Sequence, residues 1–359
     1  MNTKKDYFCS VPFINLEIHN SPRHLCCGSW LKKTLPANSS PYDAWNSEEA
    51  HDIRESILDG SYRYCDETQC PYLGEVVTNS SNRINDTVFD KPFYKKAELP
   101  EYVEKLIEKH KNGTLKPSTI QFSFDRTCNL KCPSCRLDII TASSKEIDQV
   151  QTTIDLIKNQ YSPDVRSLYI TGSGDPFISV GFRKFLRDIN LQEWPNLYKI
   201  HLHTNATKWN KKMWDSMKNI HSIAKTCEIS IDAGTQSTYE TETRLGGDWN
   251  ELIENLKFIS TIKSLKSIKT SFVVQDTNYK EMKIFYDLML EIFGKRVSVF
   301  FGRLTNWGTF TEEEFQSKAV HLPTHPLHQD FLEELGKVLP NKNTWTNLQE
   351  FVQKTKSII

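Results

Sequence analysis

The sequence has 359 residues, and its 45 lysine and arginine side chains balance 45 aspartate and glutamate side chains. Because the formal net charge at pH 7 is zero, no global field attracts nucleic acid or an anionic membrane surface, and a small-molecule or peptide partner is favoured. No window approaches the ~20 apolar residues of a transmembrane helix. The N-terminus lacks the apolar run of a signal peptide, so we expect a cytoplasmic protein with no membrane partner.

The nine cysteines fall into two clusters and one isolated position. Five lie between Cys9 and Cys70, three lie between Cys128 and Cys135, and Cys227 stands alone. In a reducing compartment, the odd total and the short spacings indicate metal ligation rather than disulfides. We therefore expect two separate metal sites, and we expect Cys227 to be a small buried residue in a strand.

The chain divides into four predicted segments. Residues 101–111 carry apolar side chains at helical spacing, and Asn112 and Gly113 end the pattern, so a linker helix is predicted between the two cysteine clusters. The segments are a cysteine-rich module at 1–98, the linker at 99–116, a barrel at 117–310 and a C-terminal helical extension at 311–359. The extension has two predicted helices, at 327–338 and 347–355.

The barrel segment alternates short apolar runs with amphipathic stretches, which is typical of a parallel α/β sheet. The predicted strands are 120–124, 167–171, 199–204, 228–232, 269–274 and 297–302. Helical patterns fill the gaps, at 146–159, 182–190, 211–219, 249–261 and 279–292. These units predict an α/β fold, a partial (β/α)6 parallel barrel, with its active site at the carboxyl ends of the strands.

Cys128, Cys132 and Cys135 directly follow the first predicted strand of the barrel. Soft thiolates suit iron–sulfur clusters or zinc, and a four-iron cluster is usually held by four cysteines. Three cysteines leave one iron open for a substrate or cofactor, as in catalytic zinc sites. The alternative for this triplet is a zinc knuckle.

The C-x-x-x-C-x-x-C spacing after a strand resembles the radical S-adenosylmethionine (radical SAM) superfamily, over residues 118–309. This resemblance implies a [4Fe-4S] cluster whose open iron chelates S-adenosylmethionine, and reductive cleavage of that cofactor to a 5′-deoxyadenosyl radical. The radical would abstract hydrogen from a peptide, sugar or other metabolite, leading to epimerisation, dehydrogenation or cross-linking. The resemblance also implies an electron donor such as flavodoxin or ferredoxin. It identifies no catalytic residue.

Three strand ends are similar to the cofactor-binding elements of that family. The turn Ser173-Gly174-Asp175-Pro176 takes the place of the glycine-rich turn whose backbone groups would bind the cofactor's ammonium group. By the same resemblance, Asn205 would contact the ribose, and Ser230 and Arg244 would contact the carboxylate, which suits arginine's planar fork. The alternatives are a simple strand-ending turn and, for Arg244, a surface salt bridge.

The N-terminal cysteines resemble the SPASM or shorter twitch extensions of radical enzymes. In those extensions, a Cys-x-x-Pro-aromatic start, a Cys-Cys pair and a late cysteine pair ligate an auxiliary [4Fe-4S] cluster. The ligands implied here are Cys9, Cys27, Cys65 and Cys70, with Cys26 as the alternative to Cys27. The module precedes the barrel, whereas in the family it normally follows it. The alternative is a closed four-cysteine zinc site.

A competing hypothesis is a non-catalytic zinc–cysteine binding module on a barrel scaffold. It predicts bound zinc and no iron–sulfur absorbance. The sequence lacks the row of basic and aromatic residues that is typical of nucleic-acid-binding proteins, so we expect no nucleic-acid partner. His321, His325 and His328 are interrupted by prolines and are interpreted as structural or surface residues.

Overall fold

The computed structural model describes residues 4–21, 23–37, 39–67, 69–70, 72–73, 92–339 and 341–348. Most of the helix predicted at 347–355 lies outside these residues. Within the described ranges, no helix combines the length and the apolar character needed to cross a membrane.

Strands and helices alternate through most of the chain. The strands are β1 (Tyr7–Cys9), β2 (Asn15–His19), β3 (Arg23–His24), β4 (Phe93–Lys95), β5 (Thr119–Ser123), β6 (Ser167–Ile170), β7 (Lys199–Thr204), β8 (Ala224–Ser230), β9 (Ser267–Val274), β10 (Val297–Arg303) and β11 (Thr344–Thr346). The helices are α1 (Val11–Ile14), α2 (Pro41–Trp45), α3 (Glu48–Leu58), α4 (Glu101–Lys111), α5 (Ser144–Tyr161), α6 (Val180–Asp188), α7 (Lys211–Asp215), α8 (Gln236–Thr238), α9 (Trp249–Ser260), α10 (Met282–Phe293), α11 (Glu312–Lys318) and α12 (His328–Val338). A π-helical turn, Tyr239–Thr243, extends α8.

Strands β5 to β10 are parallel, and each hydrogen bonds to its neighbour in chain order. Right-handed crossovers between consecutive parallel strands place all the connecting helices on one face of the sheet, which then curls into a partial barrel. The predicted barrel fold is confirmed, and each predicted strand overlaps one of these six. Helix α4 occupies the predicted linker, residues 101–111.

Additional strands extend the sheet at both edges. Strand β2 lies parallel to β5, β3 lies antiparallel to β2, and β11 lies parallel to β10 at the other edge. The boundaries of the four predicted segments stay a prediction, but β2 lies inside the predicted 1–98 module and belongs to the barrel sheet. The N-terminal segment is therefore built into the barrel through β2.

The cysteine-rich segment also contacts β10, which lies far from β2 in the order of strands. Arg303, the last residue of β10, donates a hydrogen bond to Gln69, which precedes Cys70 in the chain. Within the segment, Cys65 forms an isolated antiparallel bridge with Leu31. The segment therefore contacts the carboxyl end of β10, where the active-site end of a parallel barrel lies.

The two faces of the barrel sheet differ in polarity. Phe272 and Phe301 point towards the helices and pack on Phe285 of α10. Alternate residues of the same strands are polar and point to the concave face, because successive strand side chains face opposite ways. The concave face of the neighbouring strands includes His201, His203, Thr226, Glu228, Ser230, Lys269 and Ser271. This barrel interior is therefore polar, whereas branched apolar residues dominate the interior of TIM barrels.

A buried ion pair lies at the centre of the concave face. Lys269 Nζ is 2.9 Å from Glu228 Oε2, and both side chains are about nine-tenths buried. Burial alone would raise the pKa of Glu228, but the nearby Lys269 and His203 outweigh it and hold that pKa well below its usual range. The Lys269 ammonium also lies 4.2 Å from the ring centroid of Trp345. Both charges of the pair are therefore compensated inside the barrel.

Removing one partner of this pair should strongly destabilise the fold. In Lys269→Met, the Glu228 carboxylate stays buried without its cation, and we expect the free energy of unfolding to fall by about 3–5 kcal/mol. The double variant Glu228→Gln/Lys269→Met should recover most of that loss. Chemical denaturation measures all three proteins. The exposed control Lys266→Met should stay within about 0.5 kcal/mol of wild type. A double variant as unstable as the single one would contradict an electrostatic cause.

Candidate metal and cofactor site

The three cysteines of the barrel lie on the loop that connects β5 to α5. Cys128 and Cys132 are buried, whereas Cys135 is exposed. Isolated antiparallel bridges join Cys128 to Ile140 within the loop, and Lys131 to Leu245 beyond β8. The loop is therefore held from two sides at the carboxyl ends of the strands, where the sequence predicts the site.

Each of the three sulfur atoms has a nitrogen donor nearby. Arg136 Nη2 is 3.3 Å from Cys135 Sγ, and Arg244 Nη1 is 3.5 Å from Cys132 Sγ. Asn205 Nδ2 is 3.5 Å from Cys128 Sγ. Donors of this kind stabilise negative charge on thiolate sulfur and tune metal centres bound by thiolates.

Charged neighbours shift the pKa of these thiols in opposing directions. Burial raises the pKa of Cys128 and Cys132, while Arg136 lowers that of Cys128 and Arg244 lowers that of Cys132. Negative charge on Cys128 or Cys135 raises the pKa of Cys132, so the three sulfurs are electrostatic neighbours. Three soft donors, close to two guanidinium groups, are chemically suited to an anionic iron–sulfur cluster.

The turn Ser173-Gly174-Asp175-Pro176 packs directly against the start of the cysteine loop. A Cβ atom added to Gly174 would lie 2.4 Å from the carbonyl oxygen of Asp125 and 2.7 Å from that of Thr127. Asp175 N donates to the same Thr127 carbonyl, at 2.9 Å. The Ser173 carbonyl accepts a hydrogen bond from Arg136 Nη2, at 2.8 Å. The turn therefore positions the loop that carries the cysteines.

The Asp175 carboxylate is directed towards the end of β7. Its Oδ2 accepts hydrogen bonds from Thr204 Oγ1, at 2.7 Å, and from Asn205 N, at 2.8 Å. Its Oδ1 accepts one from Phe177 N, at 2.9 Å. Burial raises the pKa of Asp175, and these hydrogen bonds lower it. Asp175 therefore positions Asn205, which in turn contacts Cys128.

The structure brings two of the other predicted cofactor residues to the cysteine loop. Asn205 contacts Cys128, and Arg244 contacts Cys132 while donating to Asp232 Oδ2, at 2.6 Å. Arg244 is thus buried in an ion pair at the site, so the surface salt bridge considered as its alternative is excluded. Ser230 faces the same concave side, and its Oγ shares a hydrogen bond of 3.0 Å with His203 Nε2.

Three residues after consecutive strands adopt left-handed backbone conformations. Thr171, Ala206 and Asp232 have φ values of 69°, 61° and 61°, and they follow β6, β7 and β8. Such conformations are uncommon outside glycine and asparagine, and they cluster where surrounding contacts enforce them, often at functional sites. The carboxyl end of the sheet is therefore tightly constrained around the cysteine loop.

Several residues of the site were not predicted from the sequence. Asp125 accepts hydrogen bonds from Thr127 N, at 2.8 Å, and from Ser179 Oγ, at 2.5 Å. Arg136 joins Cys135 to the carbonyls of Arg126 and Ser173. An arginine immediately after the last cysteine was the available signal for Arg136. The pairing of Asp232 with Arg244 joins positions 12 residues apart and gives no local pattern.

Four of the N-terminal cysteines line one cavity. Cys9, Cys26, Cys65 and Cys70 surround it, together with aromatic side chains that include Trp30, Tyr62, Tyr72 and Phe93. Burial raises the pKa of Cys65 to about 11 and that of Cys70 to about 12. Without a bound cation these groups are therefore neutral thiols, and a metal that binds them displaces protons.

Cys26 and Cys27 differ in their surroundings. Cys26 is buried, and burial raises its pKa well above the usual value, with further contributions from Cys70, Cys65, Cys9 and Cys27. Cys27 lies outside the cavity lining, and its Sγ is 3.2 Å from Ser29 Oγ. The ligand set with Cys27 stays a prediction, but the cavity favours the alternative with Cys26.

No protein-family model and no curated protein matches the sequence. Similar solved structures include Streptococcus suis SuiB bound to S-adenosylmethionine, with 16% identity over 85% of this chain and 64% of that chain, and a TM-score of 0.46. The native anSMEcpe structure with bound AdoMet has 15% identity over 67% of this chain and 61% of that chain, and a TM-score of 0.44. TYW1 with a lysine-pyruvate adduct bound has 14% identity over 63% of this chain and 74% of that chain, and a TM-score of 0.37. The chain thus spans less than two thirds of the length of the first two.

Substituting Gly174 should impair metal binding at the cysteine loop. In Gly174→Ala, the new methyl group meets two carbonyl oxygens at 2.4 and 2.7 Å, so the loop must shift. Overpacking of this kind costs about 1–3 kcal/mol, and we expect less iron after anaerobic reconstitution. The matched control is Gly172→Ala, whose Cβ has Ser123 Oγ as its nearest neighbour, at 4.0 Å. Equal iron content in both variants would contradict the positioning role of Gly174.

Proposed function

We propose that the protein is a radical SAM enzyme whose catalytic [4Fe-4S] cluster is held by Cys128, Cys132 and Cys135. The observation that carries this proposal is the environment of the three sulfurs. They lie on one loop at the carboxyl end of a parallel barrel, and each has a nitrogen donor within 3.5 Å. Three thiolate ligands leave one iron of a four-iron cluster free to bind the cofactor.

When bound, the cluster supplies the electron that cleaves S-adenosylmethionine and so generates the radical that removes hydrogen from the substrate. The chain's own residues hold and orient the reactants. Arg136, Asn205 and Arg244 direct N–H groups at the cysteine sulfurs, which stabilises their negative charge. The loop contacts of Ser173, Gly174 and Asp175 keep the sulfurs in place before the cofactor binds.

In this proposal the predicted cofactor residues have two kinds of role. Asn205, Ser230, Arg244 and the backbone of the turn from Ser173 to Pro176 contact the cofactor. Asp175 acts as a positioning residue, because its carboxylate is occupied by Thr204, Asn205 and Phe177. Arg244 still has N–H groups that can donate to the cofactor's carboxylate, because a guanidinium group has five N–H donors.

The polar concave face favours a polar or ionisable substrate. His203, Glu228 and Lys269 lie beneath Ser230, which is a proposed cofactor contact. Groups of this kind recognise substrates that carry hydrogen-bonding or charged groups, such as peptides or sugars. We propose hydrogen abstraction from such a substrate, leading to epimerisation, dehydrogenation or cross-linking, with flavodoxin or ferredoxin as the electron donor.

We further propose an auxiliary [4Fe-4S] cluster on the N-terminal cysteines. Its ligands are Cys9, Cys26, Cys65 and Cys70, because these four line one cavity. Four thiolates close a cluster without an open iron, so this cluster would carry electrons rather than bind the cofactor. Such a cluster suits an oxidative outcome, since it can accept an electron from a substrate radical.

Cleavage of S-adenosylmethionine is the direct test of the catalytic proposal. Anaerobically reconstituted protein reduced with dithionite should form 5′-deoxyadenosine and methionine. The triple variant Cys128→Ala/Cys132→Ala/Cys135→Ala should lose this activity, because no ligand of the catalytic cluster remains. The control is Cys227→Ala, which removes a buried strand residue and should retain cleavage. Cleavage by the triple variant would contradict the assignment of the three cysteines as cluster ligands. Zinc in place of iron would favour the non-catalytic alternative.

Iron content distinguishes the two possible auxiliary ligands. Wild type should hold about eight irons, and the triple barrel variant about four. With the barrel site intact, Cys26→Ala should lose the iron of the auxiliary cluster, whereas Cys27→Ala should retain it. Iron analysis and electron paramagnetic resonance of the reduced proteins measure this. Loss of iron in Cys27→Ala alone would restore the ligand set predicted from the sequence.

A further inference from the structure

Two histidines and a glutamate from different helices come together away from the cysteines. His51 and Glu55 lie one turn apart on α3, and His110 lies near the end of α4. One ligand atom from each residue lies within 4.8 Å of the others. Glu55 Oε1 is 2.9 Å from His110 Nε2 and 3.9 Å from His51 Nε2. Residues at positions i and i+4 of a helix share one face, which here meets the end of α4.

We propose that His51, Glu55 and His110 form a binding site for a zinc ion, with water as the fourth ligand. Two histidines and one glutamate form a known ligand set of protein zinc sites. Tetrahedral zinc with bonds of about 2.0–2.1 Å places its ligand atoms about 3.3 Å apart. The two distances from Glu55 Oε1 lie on either side of that value, and all three ligand atoms lie within 4.8 Å of one another, so side-chain rotations would bring them to tetrahedral spacing.

The surroundings of the three residues suit a cation. His110 is buried, and its ring packs edge-on against Phe13, with centroids 5.5 Å apart, which fixes its orientation. Arg54 places a positive charge near His110, but its guanidinium group donates hydrogen bonds to the carbonyls of Pro12 and Trp45 and not to the three proposed ligands. Glu55 supplies the compensating negative charge. His110 Nε2 hydrogen bonds to a Glu55 carboxylate oxygen, and a metal ion bound here would replace the proton between these two atoms.

This site would link α3 to α4. The chain between these helices carries Cys65 and Cys70, so a bound ion would join the two helices that flank the segment supplying two cysteines of the N-terminal cavity. The inference goes beyond the proposed function and does not depend on it. The site uses nitrogen and oxygen ligands, whereas zinc on the cysteines would be bound by sulfur.

The test uses full-length protein reconstituted with iron and sulfide, so that the cysteines are occupied, followed by dialysis against Zn²⁺ alone. Wild type should retain one zinc ion more per chain than His51→Ala or Glu55→Gln, whose affinity should fall at least tenfold. His51 is exposed, so its substitution should leave the fold intact, as far-UV circular dichroism would verify. The matched control is His221→Ala, whose ring bonds to the Trp214 carbonyl outside this cluster and which should bind zinc like wild type.

X-ray absorption at the zinc edge identifies the ligands. The zinc ion that wild type holds and His51→Ala lacks should have nitrogen and oxygen neighbours. Zinc should also raise the melting temperature of wild type but not of that variant. Equal zinc content in wild type, His51→Ala and Glu55→Gln would overturn the proposal. Sulfur neighbours around the zinc that His51→Ala loses would overturn it as well, because they would place that ion on cysteines.

Discussion

The position of the three barrel cysteines depends on hydrogen bonds from neighbouring strand ends. Their loop has little regular structure, so strand pairing does not fix it. Instead, Asp175 N and the guanidinium of Arg136 bond to its carbonyls, and Gly174 allows the closest approach. Because Gly174 and Asp175 belong to the turn after β6, and Arg136 also donates to the Ser173 carbonyl of that turn, the sulfur positions depend on the register of the sheet. Cysteines held in this way are positioned before any metal binds.

The same constraint joins the cysteine loop to the proposed cofactor residues. Asp175 holds Asn205, Asn205 contacts Cys128, and Arg244 links Cys132 to Asp232. The contacts made by Asp175 and Arg244 are charge-assisted, and they are buried, where hydrogen bonds to ionised groups are strong. A substitution at one strand end is therefore expected to alter the sulfur environment at the next. Residues with left-handed backbone conformations follow three consecutive strands at this same end of the sheet.

The sequence allowed prediction of the six central strands because each is an apolar run followed by an amphipathic helix. It did not predict β2 or β11, because both lie outside the 117–310 segment in which the alternation of strands and helices was recognised. The triplet was recognisable from its spacing. The role of Asp175 was not, because a motif does not reveal which donors face a carboxylate. The choice between Cys26 and Cys27 was open for a related reason. Side chains of adjacent residues face different directions, and only the folded structure shows which of the two faces the cavity.

The order of segments in the chain is not their order in space. The cysteine-rich segment precedes the barrel, yet β2 pairs with β5 at one edge of the sheet, and Gln69 contacts Arg303 at the end of β10. An open parallel barrel has two free edges, and the backbone groups of an edge strand pair readily with an added strand. An N-terminal segment can therefore reach the carboxyl end of the barrel as readily as a C-terminal one. Under the proposed assignment, this topology lets a cluster on Cys70 lie against the mouth of the barrel, although its ligands come first in the sequence.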